Sequence, residues 1–246
     1  MSRGTTSSKE TRGKRAGECT LRDSAVQDIV NDVIERDPRL NGLDCTAIVK
    51  GGIVHVSGTA PEHSDRDHLR RMLARLRGVD AVWDTVKIER GDELRVVDLG
   101  CGDTKQFENA IGIDAWRRPG VDIVADMEDG LPFADGEIDC VFAVHFLEHV
   151  RNLVGLMNEI HRVLKPGGAL HAMVPKASHV NAIADPTHVR YFHRQTFRYF
   201  CEAHPGTRLF RPICVACTEE NVLADLQPVH AGPERDHPRD LALFFS

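Results

Sequence analysis

The sequence predicts an α/β protein in two parts, a small αββαβ module followed by a larger, mostly parallel sheet. Three observations carry this. Residues 24–88 switch between helical and strand periodicity in the order helix, strand, strand, helix, strand. From Leu94 onward, buried-type strands alternate with loops and a helix, the pattern of a parallel sheet. Between the two parts, Glu89-Arg90-Gly91-Asp92-Glu93 is charged and contains glycine, as linkers do. The predicted division is a tail over 1–22, a module over 23–90 and a larger domain over 91–246.

The tail is rich in Ser, Thr, Gly, Lys and Arg and has too few apolar residues to bury, so it is expected to be disordered. The module begins with a helix, capped by Ser24 and Gln27, whose stripe is Val26, Ile29, Val30, Val33 and Ile34. Asp37-Pro38 ends it. Residues 45–49 and 53–57 alternate around Gly51-Gly52 and read as a hairpin. A second helix carries Leu69, Met72, Leu73 and Leu76 and stops at Gly78; a strand follows over 81–88.

In the larger domain, strands are expected over 94–99, 110–113, 121–125, 137–144 and 169–174. A helix with the stripe Leu153, Leu156, Met157, Ile160, Val163 and Leu164 ends at Pro166-Gly167-Gly168. The first strand runs into Asp98-Leu99-Gly100-Cys101-Gly102, where glycines permit a sharp turn and close approach of a ligand. A dinucleotide fingerprint would place a third glycine where Lys105 stands. Asp98 would repel a pyrophosphate and would suit an ammonium group. Asp114 ends the second strand, where a carboxylate can accept hydrogen bonds from ribose hydroxyls. At the end of the third, Asp126 can accept from an adenine amino group while the Met127 amide serves the ring. Residues 103–109 leave little room for a crossover helix, so an irregular connection and a more open cofactor site are expected.

Composition narrows the function. Apolar residues make up 41% and charged residues 28%, with a net charge of −6, which disfavours a general nucleic-acid binder. No apolar run approaches the roughly 20 residues needed to span a bilayer. The seven cysteines and the lack of a signal-like apolar core predict reduced thiols and a cytoplasmic location. Cys214 and Cys217 lie on an alternating stretch that would point them to opposite faces, against a shared metal. His145-x-x-Glu148-His149 matches a zinc-protease pattern, but it falls at a strand-to-loop junction rather than on a helix, so no metal is expected. In 185–192, His188 and Arg190 would project alike from an extended loop, as a proton acceptor and an anion holder.

Two resemblances complete the reading. The module, through Lys50-Gly51-Gly52-Ile53-Val54-His55-Val56-Ser57-Gly58 and Arg77-Gly78-Val79-Asp80-Ala81-Val82, resembles the BON family. That implies a non-catalytic unit for docking or dimerisation, or for weak phospholipid or protein contact. The larger domain resembles the class I S-adenosylmethionine methyltransferases, closest to the small type-11 group. The likeness rests on Val97-Asp98-Leu99-Gly100-Cys101-Gly102, Gly112-Ile113-Asp114, Asp126 with Leu131-Pro132-Phe133, Leu147-Glu148-His149, and Arg162-Val163-Leu164-Lys165-Pro166-Gly167-Gly168. It implies a Rossmann-like sheet ending in an antiparallel hairpin, with 211–218 and 240–245 as candidate strands. It also implies S-adenosylmethionine as cofactor, held by Asp98, Gly100, Cys101, Gly102, Asp114, Asp126, Met127 and His145, and an acceptor served by His188, His145 and Arg190. The acceptor class stays open among small molecules, glycans, lipid headgroups and peptides. A non-catalytic nucleotide-binding scaffold and an NAD-dependent oxidoreductase are the rival readings.

Overall fold

A computed structural model describes residues 21–91, 93–230 and 241–245. The predicted tail lies outside the described residues up to residue 20. Its last two, Leu21 and Arg22, already belong to the first helix. The chain runs α1 (Leu21–Arg36), β1 (Asp44–Lys50), β2 (Ile53–Ala60), α2 (His63–Leu73), β3 (Ala81–Ile88), β4 (Val96–Leu99), β5 (Ile111–Asp114), β6 (Ile123–Val124), β7 (Ile138–Val144), α3 (Leu153–Val163), β8 (Leu164–Pro175), α4 (Val180–Ala184), α5 (Arg194–Arg198), β9 (Phe210–Cys217), β10 (Asn221–Pro228) and α6 (Ala242–Phe245).

The αββαβ order of the module is as predicted. β1 and β2 form an antiparallel hairpin, and β3 adds to β2 in parallel. The expected cap at Ser24 is not formed, because α1 already runs from Leu21. Instead Gln27 bridges to β1, accepting from the Val49 amide at 2.8 Å and donating to the Ala47 carbonyl at 2.9 Å. Asp23 accepts from the Gly51 and Gly52 amides, each at 3.0 Å, which fixes the hairpin tip. Val26 and Val30 are buried as the stripe requires, while Ile29 faces solvent.

The second sheet has the order β6-β5-β4-β7-β8-β10-β9, parallel except for β10, which runs antiparallel to both neighbours. This is the Rossmann-like arrangement, with the strand order reversing around β4 and β7 and a closing hairpin at one edge. The hairpin is β9–β10, so its second strand is Asn221–Pro228. The 240–245 candidate is corrected: Asp240 lies outside the described residues, and Ala242–Phe245 is a helical turn whose Phe245 plugs the core. Cys214 and Cys217 sit on β9 facing opposite ways, Cys214 donating to the Asp80 carbonyl and Cys217 packing on the main core. Among the described helices, none is long and apolar enough to cross a membrane.

Side chains alternate between the two faces of this sheet, as strand geometry demands. One face carries Val97, Leu99, Val141, Ala143, Leu170, Ala172, Val222 and Ala224 and packs under α3 and the phenylalanines of 192–210. The opposite face carries Val96, Cys140, Phe142 and Leu223. A parallel sheet needs cover on both faces, and here the usual source is missing. The β4-to-β5 and β5-to-β6 connections contain no helix. The N-terminal module supplies the cover instead. Ala81 and Trp83 of β3 pack on that face, with the Trp83 and Phe142 rings edge to face at 5.5 Å.

Polar contacts fix this union. Asp225 of β10, fully buried, accepts from the Val82 amide at 2.6 Å and from His171 Nδ1 at 3.0 Å. Burial works against a charge on His171, but the hydrogen bond and charge of Asp225 overcome it and push the imidazole up to about 10. Arg66 and Arg70 of α2 both donate to the Gly167 carbonyl, at 2.8 and 2.7 Å. Arg70 also pairs with buried Asp84. The module is therefore part of the sheet's core packing and not a separate bead on a linker.

Candidate active site

In open parallel sheets, ligands bind beyond the carboxyl ends of the strands, where the strand order reverses. That edge carries the loop after β4. Gly100 and Gly102 take left-handed φ angles of 66° and 59°. A Cβ on Gly100 would lie 2.5 Å from the Phe146 ring, so only glycine fits there, whereas the space beside Gly102 is open. The Gly100 amide donates to the Ile113 carbonyl at 2.8 Å, and the Gly102 amide donates to Asp114 Oδ2 at 3.1 Å. The loop is thus tied to the tip of β5. Gly112 and Gly120 allow this closeness: a Cβ on Gly112 would fall 2.1 Å from the Gly120 carbonyl oxygen.

Two predicted cofactor residues turn out to be anchors of this loop. Asp98 is 1% exposed, and its Oδ2 accepts from the Gln106 amide at 2.6 Å. The physical reason is the short crossover. Residues 103–109 form turns without a helix, so their amides need acceptors, and Asp98 provides one. Cys101 likewise turns its thiol inward to the Gly120 carbonyl, 3.3 Å away, and burial pushes that thiol up to about 11. It stays protonated, which leaves the Cys101 backbone as its contribution to a ligand. Lys105 ties the same segment down through the Ala110 carbonyl at 2.8 Å and Asp122 at 2.5 Å.

Asp114 and Asp126 stand where the sequence places them, at the ends of β5 and just past β6. Asp114 is half-buried, each oxygen taking one amide: Gly102 and, at 3.0 Å, Trp116. A carboxylate oxygen has further lone-pair capacity. Asp126 is exposed and accepts from the Glu128 amide at 3.0 Å. Met127 buries its side chain in the main core, which sets its backbone at the start of a 3₁₀ turn beside Asp126. Trp116, 72% exposed two positions after Asp114, went unnoticed in the sequence; an indole left in water beside a ribose-type carboxylate was its signal.

A cavity of about 590 Å³ lies next to this loop, lined by His145, Glu148, His149, Pro175, Asn181, Ala184, Asp185, Pro186 and His188. His145 follows β7 and, among the described residues, is the one non-glycine at positive φ, 53°. Its neighbour Phe146 packs on Gly100, which links the cavity wall to the glycine loop. His188 Nδ1 bonds the Ala182 carbonyl at 2.9 Å, leaving Nε2 turned to Glu148, 4.0 Å away. His145 Nδ1 is 3.5 Å from the same Glu148 oxygen. Arg190 is corrected: its guanidinium is spent on the Val150 and Arg151 carbonyls and neither pairs with Asp185 nor reaches the cavity. His188 and Arg190 therefore project differently. Glu148 and His149, read in the sequence as part of a methyltransferase motif and of a protease-like pattern but given no site role, are cavity residues.

Residues 22–90 match the BON domain family, and residues 68–172 match a methyltransferase domain family of the type-11 group. Each match covers less than half of the chain; residues 22–90 are similar to a BON domain and residues 68–172 to a methyltransferase domain. The methyltransferase match starts inside α2, although α2 and β3 are built into the BON sheet and the methyltransferase sheet begins at Val96. The chain is 32% identical, over an alignment of 104 residues, to the sterol 4-C-methyltransferase strm-1 of Caenorhabditis elegans. That alignment covers 33% of this chain and 31% of the worm protein, so the chain spans about a third of that relative's length. Among solved structures, an Aquifex aeolicus methyltransferase described as S-adenosylmethionine-dependent is similar at 16% identity and TM-score 0.44, over 55% of this chain and 82% of that one. A Burkholderia thailandensis 1,6-didemethyltoxoflavin-N1-methyltransferase is similar at 12% identity and TM-score 0.43, over 55% and 71%. The methyltransferase match contains the glycine loop, Asp114 and the cavity residues His145, Glu148 and His149, while the rest of the cavity lining lies beyond it.

Proposed function

We propose that the chain is an S-adenosylmethionine-dependent methyltransferase whose acceptor enters the cavity between His145 and His188. The observation that supports this most strongly is the juxtaposition of the Gly100–Gly102 loop and Asp114 with a polar cavity at the same sheet edge. The residues suit the cofactor. The open space at Gly102 admits a ligand against the backbone, and Asp114 has spare acceptor capacity for a ribose diol. Asp126 and the Met127 backbone would meet the adenine edge, with Trp116 as its cover. When bound, S-adenosylmethionine supplies a methyl group already activated by the sulfonium. The protein's work is then alignment and exclusion of water. If the acceptor is a hydroxyl or an amine, His188 or His145 receives its proton; both imidazoles line the cavity.

Val180 and Ile183, one turn apart on α4, are 61% and 64% exposed, beside the lining residues Asn181 and Ala184. An acceptor with an apolar body and a polar reacting end suits such a rim. For the BON module we propose a structural role, since the β3 side is already consumed by the sheet.

Asp114→Ala tests the cofactor site. Losing the ribose acceptor and the tie to Gly102 is expected to weaken S-adenosylhomocysteine binding at least about tenfold, equivalent to ~1.4 kcal/mol, while the melting curve stays cooperative. Unchanged affinity in a folded variant would remove Asp114 from the site.

A further inference from the structure

We propose that Glu148, His149 and His188 form a binding site for a divalent transition-metal ion of the zinc type, set in the wall of the acceptor cavity. The proposal rests on the reading of that cavity as the acceptor's, and it deepens that reading by naming what could hold the acceptor's polar end.

The first observation is proximity. One ligand atom from each of the three residues lies within 4.8 Å of the others. The residues come from two segments, a 3₁₀ turn after β7 (Leu147–His149) and the loop after α4. The amides of Val189 and Arg190 both donate to the Glu148 carbonyl, at 2.9 and 3.2 Å, so the segments are held together through their backbones.

The second observation is independent and concerns charge. Glu148 is 1% exposed, and neither carboxylate oxygen has a hydrogen-bond partner. Burying an uncompensated carboxylate is costly, and such groups are found paired or coordinating metals. The nearest imidazole nitrogens stand 3.5 and 4.0 Å away, too far for a hydrogen bond. Of these only the His188 separation lies within the proposed set, and a small side-chain rotation brings it to the spacing of two ligands on one ion. With bonds of about 2.0–2.2 Å, two ligands on one tetrahedral ion lie roughly 3.3–3.6 Å apart. The separations in the set, up to 4.8 Å, close to that range by about an ångström of side-chain rotation.

The outer contacts complete the case. His188 Nδ1 is engaged by the Ala182 carbonyl, and His149 Nδ1 by the Thr187 carbonyl and hydroxyl at 3.3 and 3.0 Å. The Thr187 hydroxyl in turn donates to Asp185 at 2.6 Å, so it accepts from His149. Both Nδ1 atoms therefore face acceptors, the outer arrangement that directs Nε2 of a ligating histidine to a metal. Two imidazoles and one carboxylate favour zinc, iron(II), cobalt or manganese over magnesium or calcium. Three protein ligands leave a coordination position toward the cavity, and with His188 Nε2 on the ion the proton-accepting role falls to His145 beside it. A protease role does not follow, because Glu148 is here a ligand and cannot also serve as the free general base.

The test uses the full chain, stripped with a chelator and titrated with zinc and separately with magnesium, by calorimetry and elemental analysis. One equivalent of zinc is expected, with no comparable magnesium binding, and cobalt(II) should give the visible bands of a low-symmetry nitrogen–oxygen site. Glu148→Gln and the double variant His149→Ala/His188→Ala should lose stoichiometric zinc. Thr187→Val, which alters only the outer contact, should weaken it about 10–100-fold. Absence of stoichiometric zinc on the wild type, or its retention by the double variant, overturns the proposal. Circular dichroism shows whether each variant is folded, and Thr187→Val provides the readout should the ligand variants fail to fold. S-adenosylhomocysteine binding on the same samples separates the two readings. Zinc without it contradicts the methyltransferase reading alone, and its binding without zinc contradicts the metal site alone.

Discussion

Removing residues 1–90 is expected to abolish cooperative folding of the remaining chain. The reason lies on the second face of the seven-stranded sheet. Val96, Phe142 and Leu223 are at most 3% exposed there, under Ala81 and Trp83 of β3. Uncovering a Val, Phe or Leu side chain costs about 1.5–3 kcal/mol each. Three of them consume most of the roughly 5–15 kcal/mol by which a domain is stable. Deletion also leaves Asp225 and His171 without the Val82 amide that closes their network. Near-ultraviolet circular dichroism and thermal melting of a 91–246 chain should show no cooperative transition, and supplying 1–90 in trans should restore one. A truncated chain melting within a few degrees of the full protein would show that the BON module is dispensable cover.

Asp225→Ala is expected to be the most damaging single change away from the ligand site, at about 3–5 kcal/mol, the range for breaking a buried ion pair from one side. Its carboxylate holds the buried His171 imidazolium and the Val82 amide together, so alanine strands both. The same pair predicts a pH signature. His171 is pushed up to about 10 in the folded protein, above its unfolded value near 6.5. The folded state therefore binds more protons between those values, and stability falls as pH rises through that window. This contribution is complete below about pH 6.5. Denaturant titrations should show that loss in the wild type. In Asp225→Ala the imidazole folds neutral, and the alkaline loss should vanish. An unchanged alkaline slope would mean that another group causes it.

Much of this molecule is legible in its sequence because the determinants are local. The αββαβ order, the strands of the parallel sheet and the Gly100–Gly102 turn follow from periodicity and from glycines that must adopt positive φ. Asp114 and Asp126 are placed by strand ends. What failed depended on distant partners. The anchoring duty of Asp98 was not legible because its partner, the Gln106 amide, is offered only when the crossover forms no helix. Arg190 read as an anion holder because nothing local reveals the Val150 and Arg151 carbonyls that occupy it. The strand Asn221–Pro228 escaped notice because buried Asp225 breaks its apolar pattern, and the partner that justifies it, His171, is 54 residues away. The BON module was legible as a unit, but its covering role was not, since that role is set by helices the second domain lacks. His145-x-x-Glu148-His149 was visible as a motif, but the approach of His188 to it was not, since His188 arrives from a loop that sequence spacing does not connect to it.

Calorimetry tests most directly the claim that the loop tied to Asp114 binds S-adenosylmethionine. Titrating the full-length protein with S-adenosylhomocysteine, with NAD and with buffer alone should give saturable one-to-one binding for the first and none for the others. Binding of NAD in place of S-adenosylhomocysteine, or of neither, would contradict it.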